Sequence, residues 1–302
     1  MLAARTLLML LSSLFVLSLD VTQAARLKPE TLEAWEIYVR LTEERIAREL
    51  GGERELESAS ELDSQPDSGA IPTGALAVGP NPDERFLVQD FLPEDKAGDC
   101  RDRIFSGEVY VTKLKTRDED GSRLKVPSGL IHHWFGSVLV PGVKLTELLE
   151  WLQRYSDHEN YFEEVETSTV LSRDGDQFDV FLRLKRTKII TVHYNTEHRI
   201  EYRHHDSQRV SSRSLATKIA QIENQGTPEE LEKPQGDDNG FLWRLNSYWR
   251  FQEVSEGVIV ECESISLSRG IPLVLKWFVG PYVNSVPEES MKNTLGSIRD
   301  SR

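Results

Sequence analysis

Cysteine is scarce in this chain of 302 residues, which contains only Cys100 and Cys262. Two cysteines cannot build the disulfide framework of a small secreted domain, so the fold must depend on a hydrophobic core. Lysine and arginine are outnumbered, 36 against 50 aspartates and glutamates, giving a net charge of −14. Because nucleic-acid binding needs clustered positive charge, no nucleic-acid partner is expected.

Long apolar runs are absent after the first 24 residues, so no later segment reaches the roughly 18 residues of a membrane-spanning helix. Residues 1–24 are typical of a cleaved signal peptide: Arg5 precedes a mostly apolar run at 7–19, and small residues follow at 22–25. The mature protein is therefore expected to be secreted or periplasmic. In such a compartment Cys100 and Cys262 could form a disulfide or remain buried thiols, and the sequence leaves both open.

The next 60 residues divide into a helix and a spacer. Residues 25–50 predict an N-terminal helix that begins near Pro29 and ends at Gly51, with apolar residues at helical spacing. Residues 51–84 are rich in acidic residues, serine, proline and glycine, and predict a disordered acidic linker. The helix and linker could recruit a partner, although a solvated spacer is the more common use of such a segment.

Residues 85–302 are predicted to form one domain built mainly from antiparallel strands. Asp120-Gly121, Asp174-Gly175, Asn239-Gly240 and Glu256-Gly257 are typical of tight turns between strands. Strong alternation predicts strands at 129–140, 177–186 and 241–251, and weaker alternation at 104–115, 165–172, 188–194, 197–206, 208–221 and 258–267. Helical spacing predicts one helix over 145–155 and a terminal helix from Pro287 onward.

The strand faces identify candidate binding residues. Along 177–186, Phe178, Val180 and Leu182 share one apolar face opposite charged residues. Along 241–251, one face carries Trp243, Ser247 and Trp249, together with Phe241, Leu245 and Phe251. We interpret both as strands with one buried face and a second face in water. The strand at 129–140 is apolar on both sides, with His132 and Trp134 on the same face.

The order strand, helix, many strands and closing helix resembles the START-like helix-grip (SRPBCC) superfamily, which includes lipid-transfer domains and polyketide cyclases. The segments that carry the resemblance are GFLWRLNSYWRF at 240–251 and LSRGIP at 267–272. It covers about residues 103–302 and implies an α+β fold, in which a curved antiparallel sheet wraps around a long C-terminal helix. The N-terminal helix and acidic linker are additions to that fold.

The resemblance implies an apolar cavity between sheet and helix, with a hydrophobic small molecule or lipid as the partner. The candidate ligand-binding residues are His132, Trp134, Phe178, Val180, Leu182, Trp243, Ser247 and Trp249. Alternation alone is equally compatible with a filled core. The leading hypothesis is an exported binding or transport protein. The alternatives are a cyclase or hydrolase on the same scaffold, using His132 or a neighbouring polar residue as acid or base, and an envelope-associated interaction protein.

The sequence offers little sign of other chemistry. No nucleophile elbow or phosphate-binding glycine loop is present, and His132 and His133 should point to opposite faces of one strand, so no metal site or cofactor is predicted. The apolar stretch 271–283 is expected to pack as core, but could contact a membrane surface transiently. Nothing in the sequence indicates the oligomeric state.

Overall fold

The computed structural model describes residues 25–51, 85–188, 190–270 and 276–301. The predicted signal peptide and nearly all of the predicted linker lie outside these residues. Residues 271–275, the first part of the apolar stretch 271–283, lie outside them as well.

A nine-stranded antiparallel sheet forms the centre of the molecule, and a long C-terminal helix lies across one face. The helices are α1 (Pro29–Glu49), α2 (Glu94–Phe105), α3 (Leu145–Leu152) and α4 (Lys276–Asp300). The strands are β1 (Ala25–Arg26), β2 (Tyr110–Lys113), β3 (Gly129–Pro141), β4 (Val165–Asp174), β5 (Gln177–Thr187), β6 (Thr191–His204), β7 (Arg209–Glu223), β8 (Leu231–Glu232), β9 (Asp237–Asp238), β10 (Arg244–Val254) and β11 (Gly257–Arg269). The strand order is β2-β3-β11-β10-β7-β6-β5-β4, with β8 beside β7, and β1 pairs separately with β9. This confirms the predicted α+β helix-grip architecture.

Helix α4 packs on the inner face of the sheet through an apolar stripe. Met291, Leu295 and Ile298 are buried against residues of β3, β10 and β11. A Cβ atom on Gly136 of β3 would lie 2.6 Å from Leu295 Cδ1 and 2.8 Å from Met291 Cγ. The lack of a side chain at this position therefore lets the helix backbone approach the strand closely.

The outer face of the sheet, opposite α4, is covered at β3, β10 and β11 by α1 and α2. Trp35 and Tyr38 of α1 share a buried cluster with Ile265 and Leu267 of β11. Residues of α2 and the preceding segment pack in the same way on β3. The expectation that β10 has a water-exposed second face is therefore wrong.

The polar residues on that outer face are paired rather than solvated. Arg250 of β10 is 2% exposed, donates to the Phe86 carbonyl oxygen at 2.8 Å and forms an ion pair with Glu49 of α1. Tyr248 donates its hydroxyl hydrogen to Glu43 of α1 at 2.9 Å. The alternation of polar residues along β10 carries no information about partners on a helix some 200 residues earlier.

Several predicted boundaries also differ from the structure. The range 104–115, predicted as one strand, contains the end of α2 and the short strand β2. The ranges 188–194 and 197–206 belong mainly to the single strand β6. Helix α4 begins before Pro287, since a proline removes one main-chain hydrogen bond but need not end a helix.

The two cysteines remain free thiols in the structure. Cys100 lies in the outer-face cluster with Phe135 and Leu139, whereas Cys262 belongs to the inner-face core with Met291. The sheet separates the two sulfur atoms, so the buried-thiol alternative holds.

Candidate functional site

A cavity of about 620 Å³ lies between the inner face of the sheet and α4. Strands β3, β5, β6, β7, β10 and β11 contribute side chains to it, together with α4 and the segment after α3. Residues as far apart in the strand order as Trp134 of β3 and Leu184 of β5 line this one space, so the sheet must curve around it. The volume is in the range of small-molecule binding sites, which are mostly apolar with a few polar groups.

Five of the sequence-predicted residues meet at this cavity. His132 and Trp134 line it from β3, Leu182 from β5, and Ser247 and Trp249 from β10. They come together because residues at even spacing on each strand share the inner face, and the curved sheet brings those faces around one volume.

Phe178 and Val180, two other predicted residues, lie outside the cavity lining. They are on the inner face but pack in a separate buried cluster with Tyr155 and Ile200. Tyr155 belongs to a short 3-10 helix at Tyr155–Asn160, which covers that end of β5. Alternation gives the face of a strand but not which part of that face another element covers.

Trp243 also lies outside the lining, although it has the same sequence parity as Ser247. It precedes the first residue of β10, packs in the cluster of α1, and donates its indole N–H to Asp238 at 3.0 Å. The alternation of side chains along β10 therefore does not extend to Trp243.

Sequence reasoning missed several lining residues. They include Tyr194 and His198 on β6, Phe162 after the 3-10 helix, and the serines Ser212, Ser214, Ser264, Ser266 and Ser268 on β7 and β11. The serines carried a signal, because they alternate at a two-residue period along both strands. Each is small and weakly polar, however, and so resembles a residue of a solvated strand face.

His132 is the one titratable side chain among the eight predicted residues, and it is buried. It is 4% exposed, and its Nε2 lies 2.9 Å from Ser268 Oγ, while its Nδ1 has no partner among the described residues. Burial lowers the pKa of His132 to about 4, helped by the nearby Lys113 charge. The imidazole is therefore neutral at pH 7 and can accept or donate a hydrogen bond within the cavity.

His133, the next residue, points to the outer face. Its ring lies 2.6 Å from both the Tyr38 hydroxyl and a Glu263 carboxylate oxygen. Burial alone would raise the pKa of Glu263, but His133, Arg45 and Arg250 outweigh burial and hold it at about 2. The two adjacent histidines thus serve different faces, as expected for a strand.

The lining of the cavity reaches the protein surface at the β5–β6 turn, where the lining residue Ile190 is 43% exposed. Arg186 donates to Glu289 of α4 at 3.0 Å, and Lys188 forms a second ion pair with the same carboxylate. Arg186 also pairs with Glu164. We call the two contacts to Glu289 the mouth ion pairs, because they join the turn to the helix where the lining reaches the surface.

In the described part of the chain, no group of three or more histidine, cysteine, aspartate or glutamate residues is arranged to hold a metal ion. No helix among the described residues is long and apolar enough to cross a membrane.

Comparison with known proteins finds similarity only at the level of structure. No protein-family profile and no curated protein matches the sequence. An aromatase/cyclase from a Streptomyces species is 11% identical, with a TM-score of 0.38 over 57% of this chain and 93% of that chain. A STAR-related lipid transfer protein from Xanthomonas axonopodis is 13% identical, with a TM-score of 0.37 over 62% and 98%. The lipid transfer and protein localization domain of human StarD13 is 9% identical, with a TM-score of 0.37 over 70% and 97%. These similarities are weak and concern the fold alone.

Proposed function

We propose that this protein binds a hydrophobic small molecule or lipid in the cavity between the sheet and α4. The observation that carries the proposal is a volume of about 620 Å³ lined mainly by apolar and aromatic side chains. At about 24 cal/mol per Å³, an empty space of this size would cost about 15 kcal/mol, as much as a whole domain's stability. Something must therefore occupy the space, and an apolar lining favours an apolar molecule over water.

A fluorescent apolar probe such as N-phenyl-1-naphthylamine tests this proposal directly. We expect the protein to bind it with enhanced fluorescence, and native mass spectrometry of protein from its own host to show an apolar adduct. Leu245→Trp would place a large side chain in the cavity and should abolish probe binding. Leu231→Trp is the matched control, because Leu231 is 49% exposed on β8 and outside the cavity lining. Equal probe binding by the two variants would contradict a ligand site in the cavity.

An acid–base enzyme is the second candidate, favoured by the contact between His132 and Ser268. A neutral imidazole with an unpartnered Nδ1 inside a cavity can exchange a proton with a bound molecule. Under this candidate, wild-type protein should co-purify with a product and His132→Asn with its unconverted substrate, differing in mass. His158→Asn is the control, because His158 also lines the cavity but is bonded to the Leu152 carbonyl oxygen. An identical adduct in all three proteins favours simple binding.

The proposal places this binding protein outside the cytoplasm, with ligand exchange at a membrane surface. Residues 1–24 motivate the first part and the apolar stretch 271–283 motivates the second. N-terminal sequencing of exported protein should begin near Ala25. Flotation with liposomes should retain part of the protein, and its complete absence from the lipid fraction would exclude stable membrane contact.

A further inference from the structure

Three serines lie side by side on the floor of the cavity. Ser247 of β10 is in register with Ser214 of β7 on one side and with Ser264 of β11 on the other. All three line the cavity. We call them the serine row. The pairing continues to Ile200 on β6 and Trp134 on β3, so apolar side chains lie at both ends of the row.

The hydroxyl groups of the serine row have no hydrogen-bond partner among the described residues, and the same is true of Ser212 and Ser266 beside it. At the end of the row, the Trp134 indole N–H is buried and likewise has no partner in the described part of the chain. Ser214, Ser247 and Ser264 are half-buried, so a molecule that fills the cavity would separate their hydroxyl groups from water. A hydroxyl left without a hydrogen-bond partner in this way costs roughly 1–3 kcal/mol. A cluster of such hydroxyl groups facing an otherwise apolar space therefore favours an occupant that supplies the missing partners.

The charges around the cavity bear on the chemistry of that occupant. The charged lining residues are Glu164, Lys185, Arg186, Lys188 and Arg269. None of them is next to the serine row in register, and Arg186 and Lys188 are already paired with Glu289. A carboxylate or phosphate placed at the row would lose its hydration without gaining an opposite charge, which is strongly unfavourable. A serine hydroxyl can both donate and accept, which suits a hydroxyl or carbonyl oxygen.

We infer that the serine row binds an uncharged oxygen, a hydroxyl or a carbonyl, of an otherwise apolar ligand. The inference rests on the proposed function, which it narrows to neutral oxygenated molecules. A ligand of this class would direct its oxygen to the row and leave its hydrocarbon part against the aromatic and aliphatic lining.

Three probes with one ring skeleton test the inference: fluorene, 9-fluorenol and fluorene-9-carboxylate, each competing with N-phenyl-1-naphthylamine. In a purely apolar site the added hydroxyl weakens binding, because it loses water without a new partner. We expect wild-type protein to bind 9-fluorenol at least as tightly as fluorene, and both more tightly than the carboxylate. The combined change Ser214→Ala, Ser247→Ala and Ser264→Ala should weaken 9-fluorenol about tenfold relative to fluorene.

Ser211→Ala is the matched control. Ser211 is on the same strand as Ser214 but outside the cavity, where it contacts His205 at 2.8 Å. This variant should keep the wild-type preference. Fluorene binding by the triple variant reports directly that its cavity has folded, and Ser247→Ala alone provides a milder version if it has not.

Each outcome separates the inference from the proposed function. If none of the probes binds wild-type protein, the proposed function fails and the inference fails with it. If fluorene binds but the alanine changes leave the ratio between fluorene and 9-fluorenol unaltered, the serine row has no role and only the inference is overturned. Tightest binding of the carboxylate would also overturn the inference, while leaving an apolar site in place.

Discussion

Glu261 should make this protein lose stability as the pH rises from 7 to 9. This residue of β11 is fully buried on the outer face of the sheet. Its carboxyl group accepts hydrogen bonds from the main-chain N–H groups of Val88 and, at 3.3 Å, Gln89. Burial raises the pKa of Glu261 to about 8, against the opposing attraction of Arg250 and of these two N–H groups.

Stability falls with rising pH because Glu261 holds its proton more tightly in the folded state than in the unfolded state. In the unfolded chain the carboxyl group titrates near 4.5, so between pH 4.5 and about 8 the folded protein holds a proton that the unfolded chain has lost. The folded state is favoured by this proton, and the advantage disappears as pH rises through 8. From one pH unit below the folded pKa to one above it, the free energy of unfolding should fall by about 1.4 kcal/mol.

Urea unfolding of wild-type protein and Glu261→Gln at pH 7 and pH 9 measures this loss. The window avoids the buried histidines His132, His198 and His205, whose lowered pKa values of about 4 affect stability only below pH 7. The variant should lose about 1.4 kcal/mol less than wild type, whereas the exposed-site control Glu256→Gln should follow wild type. If Glu261→Gln loses as much stability as wild type, the carboxyl group is already ionised at pH 7 and the reasoning is wrong.

Two further predictions concern α4. Gly136→Ala should lower the free energy of unfolding by about 1–3 kcal/mol, because the new Cβ overlaps the helix side chains. An unchanged free energy of unfolding, measured by urea titration, would contradict this prediction. Gly98→Ala, where a Cβ meets nothing within 4 Å, is the control and should be neutral or stabilising. Glu289→Gln should weaken the mouth ion pairs and speed release of N-phenyl-1-naphthylamine about two- to fivefold in stopped-flow fluorescence. Glu288→Gln, which loses only a pair within the helix, should leave the rate unchanged, and equal rates for both variants would exclude gating by Glu289.

Some residues of the candidate site could be predicted from the alternation along the strands, and others could not. His132, Trp134 and Ser247 could be assigned to the cavity face because neighbouring side chains on a strand point to opposite sides. Phe178 has the same parity as Leu182 but is covered by the segment after α3. Which part of a sheet face stays open depends on contacts between residues distant in sequence, and a local pattern does not contain them.

The sequence by itself determined most of the strands, their inner faces and the order of elements that ends in a long helix, because these depend on spacing within one short segment. Only the tertiary structure decided that α1 covers the outer face, that Arg250 and Glu263 are buried in ion pairs, and that three separate serines form one row. The physical reason is that pairing and burial are properties of two surfaces in contact. A single segment specifies only one of them.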